Sequence, residues 1–263
     1  MARIVLSMTS FGSRLQTLHE RLNWVRGIPF LFNLYVGDNE VLNPELIKFF
    51  DNTPNAKLHI VKDIGPLTKS YYSLKEFPDD IIFLVDDDLY YTPHWIKFAI
   101  DSYMQHQRYF NDCVIGLVAR KILITPDNHL EIMQFGNDQN EFQKSLQYPT
   151  GHAEPLNKSY KNLILSGGPG SFLNIRQVHN DYFDVNKYQE MCKSHDEMWN
   201  WVQSVRLGLK HVSLHSALIA PGVISSLQDC ALNKVYNSIE HEREIFDKFV
   251  KEYPEVLRKL VVD

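Results

Sequence analysis

Short apolar runs alternate with amphipathic segments along the first half of the chain. Such runs, rich in β-branched and aromatic residues, are typical of strands covered on both faces of a parallel sheet. The runs lie at 4–8, 30–36, 58–61 and 81–85. The helical pattern between them places Leu15, Leu18 and Leu22 on one face, and further helices follow Asn43-Pro44 and begin at about Thr68. This alternation predicts a doubly wound, mostly parallel α/β sheet.

The second half of the chain is less regular. A long helix is predicted at 93–109 and a strand at 114–118, but prolines and glycines interrupt every candidate element between Arg120 and Asn162. We interpret this part as a loop-rich insertion that contacts a substrate, because long irregular connections are often functional. Later elements are predicted at 163–165 (strand), 195–207 (helix), 211–214 (strand) and 240–250 (a charged helix, followed by a second one to the end).

Composition narrows the class of protein. The 263 residues are 44% hydrophobic and 22% charged, as in a folded globular protein. A net charge of -5 argues against a nucleic-acid partner. Cys113, Cys192 and Cys230 are far apart, which fits a reducing compartment better than a disulfide framework. The apolar start is too short for a signal peptide, so we expect a cytoplasmic protein, with peripheral association at the inner face of a membrane left open.

Three consecutive carboxylates, Asp86-Asp87-Asp88, follow the apolar run at 81–85 directly. Ligands of open α/β sheets collect at the carboxyl ends of strands, so the triplet is expected at the mouth of a site. Adjacent like charges repel one another, and a hard divalent cation with oxygen ligands offsets that repulsion. A solvated strand end is the alternative, because Asp is common where strands stop.

Phosphatases of the haloacid-dehalogenase type also carry Asp-x-Asp after an apolar strand, with the first Asp as nucleophile. Here that residue would be Asp86, but Tyr90 stands where their pattern has Thr or Val, and their motif usually follows the first strand. The phosphatase is therefore the weaker interpretation.

The residues from Asp79 to Pro93, preceded by Gly65-Pro66-Leu67-Thr68-Lys69, resemble bacterial nucleotide-sugar glycosyltransferases of the GT-A type. The opening Leu6-Ser7-Met8-Thr9-Ser10-Phe11 and the later His195-Asp196-Glu197-Met198-Trp199 are similar to segments of that family and occur in the same order. The resemblance implies a GT-A, Rossmann-like sheet flanked by helices and a single domain over 1–263. Within it we expect a nucleotide-binding half at 1–118, an acceptor-side half at 119–239 and a helical tail at 240–263.

The resemblance also implies positions for the nucleotide-sugar donor. The nucleotide, its base or ribose, the diphosphate and the donor sugar would contact residues that follow the predicted strands and the glycine-rich segment. These are Thr9, Ser10, Arg14, Asp38, Asp63, Gly65, Lys69, Asp86, Asp87, Gly167 and Gly168. Lys69 has the plain alternative of a solvated helix residue, and Asp87 the alternative of pointing away from the site. The glycine segment departs from the family by leading quickly into Phe172, which leaves the acceptor's identity open.

For the metal, the resemblance implies Asp88 and Asp86 as ligands of Mn²⁺ or Mg²⁺, with His215 preferred over His211 as a further ligand. A general base is needed to take a proton from the acceptor hydroxyl in an inverting transfer. Asp196 is the first candidate and Glu197 the second, although acidic residues at a helix start also simply complement its dipole. Trp199 and Trp201 are candidates for an apolar acceptor platform or for the core.

These expectations describe a metal-dependent glycosyltransferase that moves a sugar from a nucleotide-sugar donor to a saccharide or lipid-linked acceptor, in surface polysaccharide assembly. A non-catalytic nucleotide-sugar binding protein, which has kept the donor pocket and lost its base, is the further alternative.

Overall fold

The computed structural model describes residues 2–110, 112–125, 127, 129–132, 159–166, 168, 170–214, 222–224, 227 and 239–261. Three residues singled out above, Gly167, His215 and Cys230, lie outside these ranges.

Strands and helices alternate through the first half of the chain, as the apolar pattern predicts. The strands are β1 (Ile4–Ser10), β2 (Leu31–Gly37), β3 (Ala56–Val61), β4 (Ile81–Leu84), β5 (Leu89–Tyr90), β6 (Cys113–Gly116), β7 (Ala119–Ile124), β8 (Leu130–Ile132), β9 (Leu163–Leu165), β10 (Ser171–Leu173), β11 (Lys210–Ser213) and β12 (Gly222–Val223). The α-helices in the described ranges are α1 (Arg14–Arg21), α2 (Pro44–Asp51), α3 (Thr68–Glu76), α4 (Pro93–His106), α5 (Val185–Cys192), α6 (Asp196–Arg206), α7 (Ile239–Glu252) and α8 (Glu255–Val261).

Seven strands form the main sheet, in the order β11-β6-β10-β4-β1-β2-β3. All neighbours are parallel except β10, which runs antiparallel to both β4 and β6. This confirms the mostly parallel α/β sheet flanked by helices. Because β1 and β4 are central and parallel, their carboxyl ends emerge side by side.

Burial explains why these segments became strands. All four residues of β4 are buried, and six of the seven in β1 are buried as well. Two apolar clusters cover the two faces of the sheet: Phe83 of β4 belongs to one and Ile82 to the other. Adjacent strand residues therefore point to opposite, equally dry faces, as a parallel sheet between helix layers requires.

The structure corrects several expectations at the level of elements. The first helix, predicted from Ser13 to Gly27, ends at Arg21 and continues as a 3₁₀ helix over Leu22–Gly27, and the fourth ends at His106, three residues earlier than predicted. The expectation that 120–162 lacks regular elements is wrong for its first part, because β7 and β8 lie there and form a separate antiparallel sheet with β9.

The candidate acceptor platform is also corrected. Trp199 and Trp201 are 0% and 1% exposed and pack in the cluster that joins α6 to α7. Their indole nitrogens donate to the carbonyl oxygens of Tyr182 and Lys161. Both rings are therefore core residues, and the platform interpretation is wrong.

The two helices predicted for the tail are confirmed as α7 and α8. Phe246 and Phe249 of α7 are fully buried against the α5–α6 side of the sheet, as expected for an amphipathic helix packed on a domain, and the charged Glu242 of the same helix is buried with them. Among the helices of the described ranges, none is long and apolar enough to cross a membrane.

Candidate functional site

A cavity of about 430 Å³ opens at the carboxyl ends of β1 and β4, beside the beginnings of α3 and α6. Its wall includes all three members of the acidic triplet. The lining residues are Thr9, Phe11, Arg14, Asp63, Gly65, Pro66, Lys69, Asp86, Asp87, Asp88, Arg120, Ser194, His195, Asp196 and Glu197.

Asp87 points away from the opening and into the structure. Ser7 pairs with Leu84 across the parallel strands, so Ser10 and Asp87, three residues further along each chain, also meet. The Ser10 hydroxyl donates to Asp87 Oδ2 at 2.5 Å, and Arg14 Nη1 lies 2.5 Å from Asp87 Oδ1. Burial raises the pKa of Asp87, and the Arg14 guanidinium opposes that rise.

Arg14 connects this buried pair to the rest of the site. Its Nη2 lies 3.5 Å from Asp88 Oδ2 and donates to the carbonyl oxygen of Leu227 at 3.1 Å. Arg21, the last residue of α1, donates to the backbone carbonyl oxygen of Asp87. The arginines of α1 therefore offset part of the negative charge of the triplet from behind, and the Asp88 side chain remains 19% exposed.

Asp86 is fixed by its backbone and by a glycine. Its N–H donates to the Tyr91 hydroxyl at 2.9 Å, and that hydroxyl donates to the Gly168 carbonyl oxygen at 2.6 Å. A Cβ added to Gly168 would lie 2.4 Å from Asp86 Oδ2 and 2.8 Å from Leu89 Cδ1. The position therefore requires glycine, because a side chain would displace the carboxylate.

Lys69 lies between two carboxylates of the cavity wall. Its side chain is only 5% exposed, and its Nζ is 2.5 Å from Asp86 Oδ1 and 3.3 Å from Asp196 Oδ2. Burial alone would lower the pKa of Lys69, but Asp196 and Asp86 outweigh burial and raise it above its ordinary value. The alternative of a solvated helix residue is wrong.

Asp196 is the first residue of α6 and is 7% exposed. Burial raises its pKa to about 6, against the opposing effect of the Lys69 ammonium. Among the described residues, its Oδ2 atom has no partner with good hydrogen-bond geometry, although Lys69 is close. A buried carboxylate that titrates near neutrality is suited to accept a proton.

Glu197, the second base candidate, has a different environment. Its Oε2 lies 3.0 Å from Arg120 Nη2, and Arg120 Nη1 lies 3.2 Å from Glu242 Oε1 on α7. The Glu242 side chain is 5% exposed. These two ion pairs link the beginning of α6 to β7 and α7. Glu197 is therefore held at the cavity wall by a structural ion pair.

The remaining donor candidates divide by position. Thr9 lines the cavity and donates from its hydroxyl to the Tyr35 carbonyl at 3.0 Å. Asp63 also lines it, but its Oδ1 accepts from Gly65 N at 2.8 Å and so stabilises the turn into α3. Gly65 has a φ of +80°, which favours glycine. Asp38 is exposed after β2 and is absent from the lining of this cavity.

His211, the alternative metal ligand, lies on β11 in a separate small cavity. It is 2% exposed, and its Nε2 is 2.8 Å from the Ser204 hydroxyl. Burial lowers its pKa to about 3. His211 is therefore a core residue in this structure.

Six acidic and three basic side chains line the main cavity, which gives its wall a formal excess of three negative charges. A diphosphate would be repelled unless a cation accompanied it. Within the described ranges, no three His, Cys, Asp or Glu side chains form a ready-made metal site. Asp86 and Asp88 still supply the hard oxygen atoms that Mg²⁺ and Mn²⁺ prefer, and Mg²⁺ in proteins is usually held by one or two carboxylates together with substrate phosphates.

Two residues that hold parts of the site in place escaped the sequence analysis. Arg120 lies where the apolar pattern gave no signal, and its partners are distant in the chain. Tyr91 lies three residues after the triplet, and its position close to the end of an apolar strand was the available signal, because a tyrosine hydroxyl buried there needs a hydrogen-bond partner.

No protein-family model and no curated protein matches the chain. Among solved structures, S. aureus TarS 1-349 aligns with 99% of this chain and 71% of its own, at 14% identity and a TM-score of 0.45. The same protein in complex with UDP-GlcNAc covers 99% of this chain and 84% of its own, at 13% identity and a TM-score of 0.46. A CMP:2-keto-3-deoxy-manno-octonic acid synthetase complexed with CTP covers 81% and 89%, at 9% identity and a TM-score of 0.41. Likenesses at this level carry no argument about function. What the chain itself defines is an α/β protein with an acidic cavity at the carboxyl ends of its central strands.

Proposed function

We propose that this protein is a glycosyltransferase that takes a sugar from a nucleotide-sugar donor, with the help of a divalent cation, and transfers it to a saccharide or lipid-linked acceptor. One observation carries the proposal: an acidic pair suited to a cation, Asp86 and Asp88, lines the same cavity as a buried carboxylate suited to act as a base, Asp196. The ordered resemblance of the sequence to GT-A-type enzymes supports the same reaction class.

In this proposal, Asp86 and Asp88 would hold Mn²⁺ or Mg²⁺ together with the diphosphate of the donor. When bound, the cation neutralises charge that develops on the nucleoside diphosphate as the sugar bond breaks. The net negative charge of the cavity wall supports the requirement for a cation. Arg14, Arg120 and Lys69 are each paired with a carboxylate of the protein, so they do not neutralise a bound diphosphate. His215 stays a predicted further ligand.

The base in this proposal is Asp196. A pKa of about 6 leaves this carboxylate mostly ionised at neutral pH and still basic enough to take a proton from a hydroxyl. Glu197 is less suitable because Arg120 occupies it at 3.0 Å. Its role is then to fix the start of α6, and with it the direction of the Asp196 side chain.

The nucleotide would occupy the side of the cavity formed by Thr9, Asp63 and Gly65. The backbone at Gly65 has no side chain to obstruct a phosphate, and the ends of β1 and β3 flank it. Gly168 keeps the space around the Asp86 carboxylate open, which supports placement of the donor sugar nearby. The network of Ser10, Arg14 and Asp87 is buried beneath the cavity, and its role in this proposal is to fix the position of the triplet.

Asp88→Asn tests the proposal against a matched charge change. The substitution should abolish Mn²⁺-dependent hydrolysis of nucleotide-sugar donors, measured over a panel of UDP-, GDP- and CDP-sugars. Asp79→Asn removes the same charge at the opposite end of β4, where Asp79 is exposed, and should leave hydrolysis unchanged. Equal turnover in both variants would contradict the metal assignment.

The two alternatives give different outcomes in related assays. A phosphatase of the dehalogenase type would form an aspartyl phosphate, an acyl phosphate on the Asp86 carboxylate, which can be trapped and located by mass spectrometry. A non-catalytic binding protein would bind nucleoside diphosphate with Mn²⁺ in a calorimetric titration and fail to hydrolyse any donor.

A further inference from the structure

The ammonium of Lys69 is shared unequally by two carboxylates of the cavity wall. Its Nζ lies 2.5 Å from Asp86 Oδ1, on the side proposed for the donor, and 3.3 Å from Asp196 Oδ2, on the side proposed for the acceptor. With 5% of its side chain exposed, Lys69 has little access to other partners.

The base of this side chain is held firmly. Lys69 lies in the first turn of α3, and its carbonyl oxygen accepts a hydrogen bond from the buried Ser7 hydroxyl of β1 at 2.8 Å. The turn before it is fixed by the positive φ of Gly65 and by the hydrogen bond from Gly65 N to Asp63. Only the flexible end of the side chain is then able to move, and it has two acceptors within reach.

The second acceptor is incompletely satisfied. Asp196 Oδ2 is buried and, within the described residues, has no partner with good hydrogen-bond geometry, because the ammonium is directed at Asp86. A buried, unsatisfied carboxylate oxygen is costly, so a move of the ammonium toward Asp196 would be favourable once Asp86 had another counter-ion.

We propose that Lys69 is a positioning residue that couples the proposed cation site to the proposed base: once Asp86 binds a divalent cation, the Lys69 ammonium would leave Asp86, bind Asp196 fully and fix it for the acceptor. The inference rests on the proposed function in one respect, that Asp86 takes part in binding the cation. It gives Lys69 a different role from that of a diphosphate ligand, and the two roles predict opposite effects on binding.

The test is Mn²⁺ binding to the full-length protein by titration calorimetry, with Mn²⁺ alone and with Mn²⁺ plus UDP. Lys69→Met removes the competing cation from Asp86 and should tighten Mn²⁺ binding by about tenfold or more. Lys75→Met removes the same charge from an exposed position at the other end of α3 and should leave the affinity within about twofold. An unchanged or weaker affinity in Lys69→Met overturns the coupling, and a loss seen only with UDP restores the diphosphate role.

A second variant predicts the opposite sign and does not depend on the folding of Lys69→Met. Asp196→Asn leaves Asp86 as the one carboxylate paired with the ammonium in the described part of the chain, so Mn²⁺ should bind several-fold more weakly. Asp79→Asn, at an exposed position just before β4 and outside the cavity wall, controls for the general loss of a negative charge. Equal losses in these two variants overturn the inference.

The wild-type protein separates this inference from the proposed function. If wild type binds Mn²⁺ and the variants lack the opposite signs, the coupling is wrong and the transferase proposal stands. If wild type binds no Mn²⁺ with any of UDP, GDP or CDP, both are wrong.

Discussion

Substitution of Tyr91 tests how the backbone at the start of the acidic triplet is fixed in position. Tyr91 is 3% exposed, and its hydroxyl joins two backbone groups that are distant in the chain, Asp86 N at 2.9 Å and the Gly168 carbonyl at 2.6 Å. Tyr91→Phe removes one oxygen atom and leaves the ring in its contacts with Trp24 and Trp95. A partly buried donor and a buried acceptor then lose the same partner.

The expected cost follows from those two groups. Leaving a buried polar group without a partner costs about 1–3 kcal/mol, and the Asp86 amide is only partly buried, so its share is at the lower end. The free energy of unfolding should therefore fall by about 2–4 kcal/mol. Because Tyr91 fixes both Asp86 and the glycine that leaves room for its carboxylate, Mn²⁺ binding should weaken as well.

Urea unfolding, followed by tryptophan fluorescence, measures the first effect and calorimetric titration with Mn²⁺ the second. Tyr103→Phe is the matched control: Tyr103 is 6% exposed and stacks on Phe172. No hydroxyl hydrogen bond of Tyr103 is seen within the described part of the chain, so its loss should cost less than about 1 kcal/mol. Equal unfolding midpoints for the two variants would show that the two hydrogen bonds of the Tyr91 hydroxyl do not stabilise the fold, and would refute this prediction.

Three further predictions follow from the same geometry. Gly168→Ala should weaken Mn²⁺ binding more than it lowers stability, since its Cβ would lie 2.4 Å from Asp86 Oδ2, and a calorimetric titration and a melt compare the two effects. Because burial raises the pKa of Asp196 to about 6 while Lys69 is held at Asp86, kcat/KM for sugar transfer at limiting Mn²⁺ should fall about tenfold per pH unit below that value, and a profile flat between pH 5 and 7 would exclude Asp196 as the base. Burial lowers the pKa of His211 to about 3 in the folded protein, whereas the ordinary value of 6.5 applies to the unfolded chain. As the pH falls below 6.5, the unfolded chain therefore binds a proton at His211 that the folded protein does not bind. His211 should thus reduce stability by about 2 kcal/mol between pH 7 and pH 5, a pH dependence that His211→Asn removes from urea unfolding curves.

The central part of the fold was predictable because each buried strand is a continuous apolar run. The runs at 4–8 and 81–85 became β1 and β4, and the triplet appears at a carboxyl strand end, as sequence reasoning places it. The antiparallel β10 was missed, because Ser171–Leu173 is too short to carry a period and its place between β4 and β6 is set by long-range pairing.

The sequence predicted which residues line the candidate site better than it predicted which of them contact one another. Asp86, Lys69 and Asp196 were all candidates, but the ion pairs among them join three elements that local pattern does not bring together. The same holds for Arg120, whose two acidic partners lie on α6 and α7. Side-chain partners across a sheet edge depend on tertiary packing, about which propensity and periodicity carry no information.

The most direct measurement is anomalous diffraction at the manganese edge from crystals soaked with MnCl₂ and UDP, GDP or CDP. The account predicts a manganese peak bound by the Asp86 and Asp88 carboxylates, with the diphosphate of one nucleotide completing its coordination. A nucleotide bound with no metal at these carboxylates, or a cavity empty of both, would contradict it.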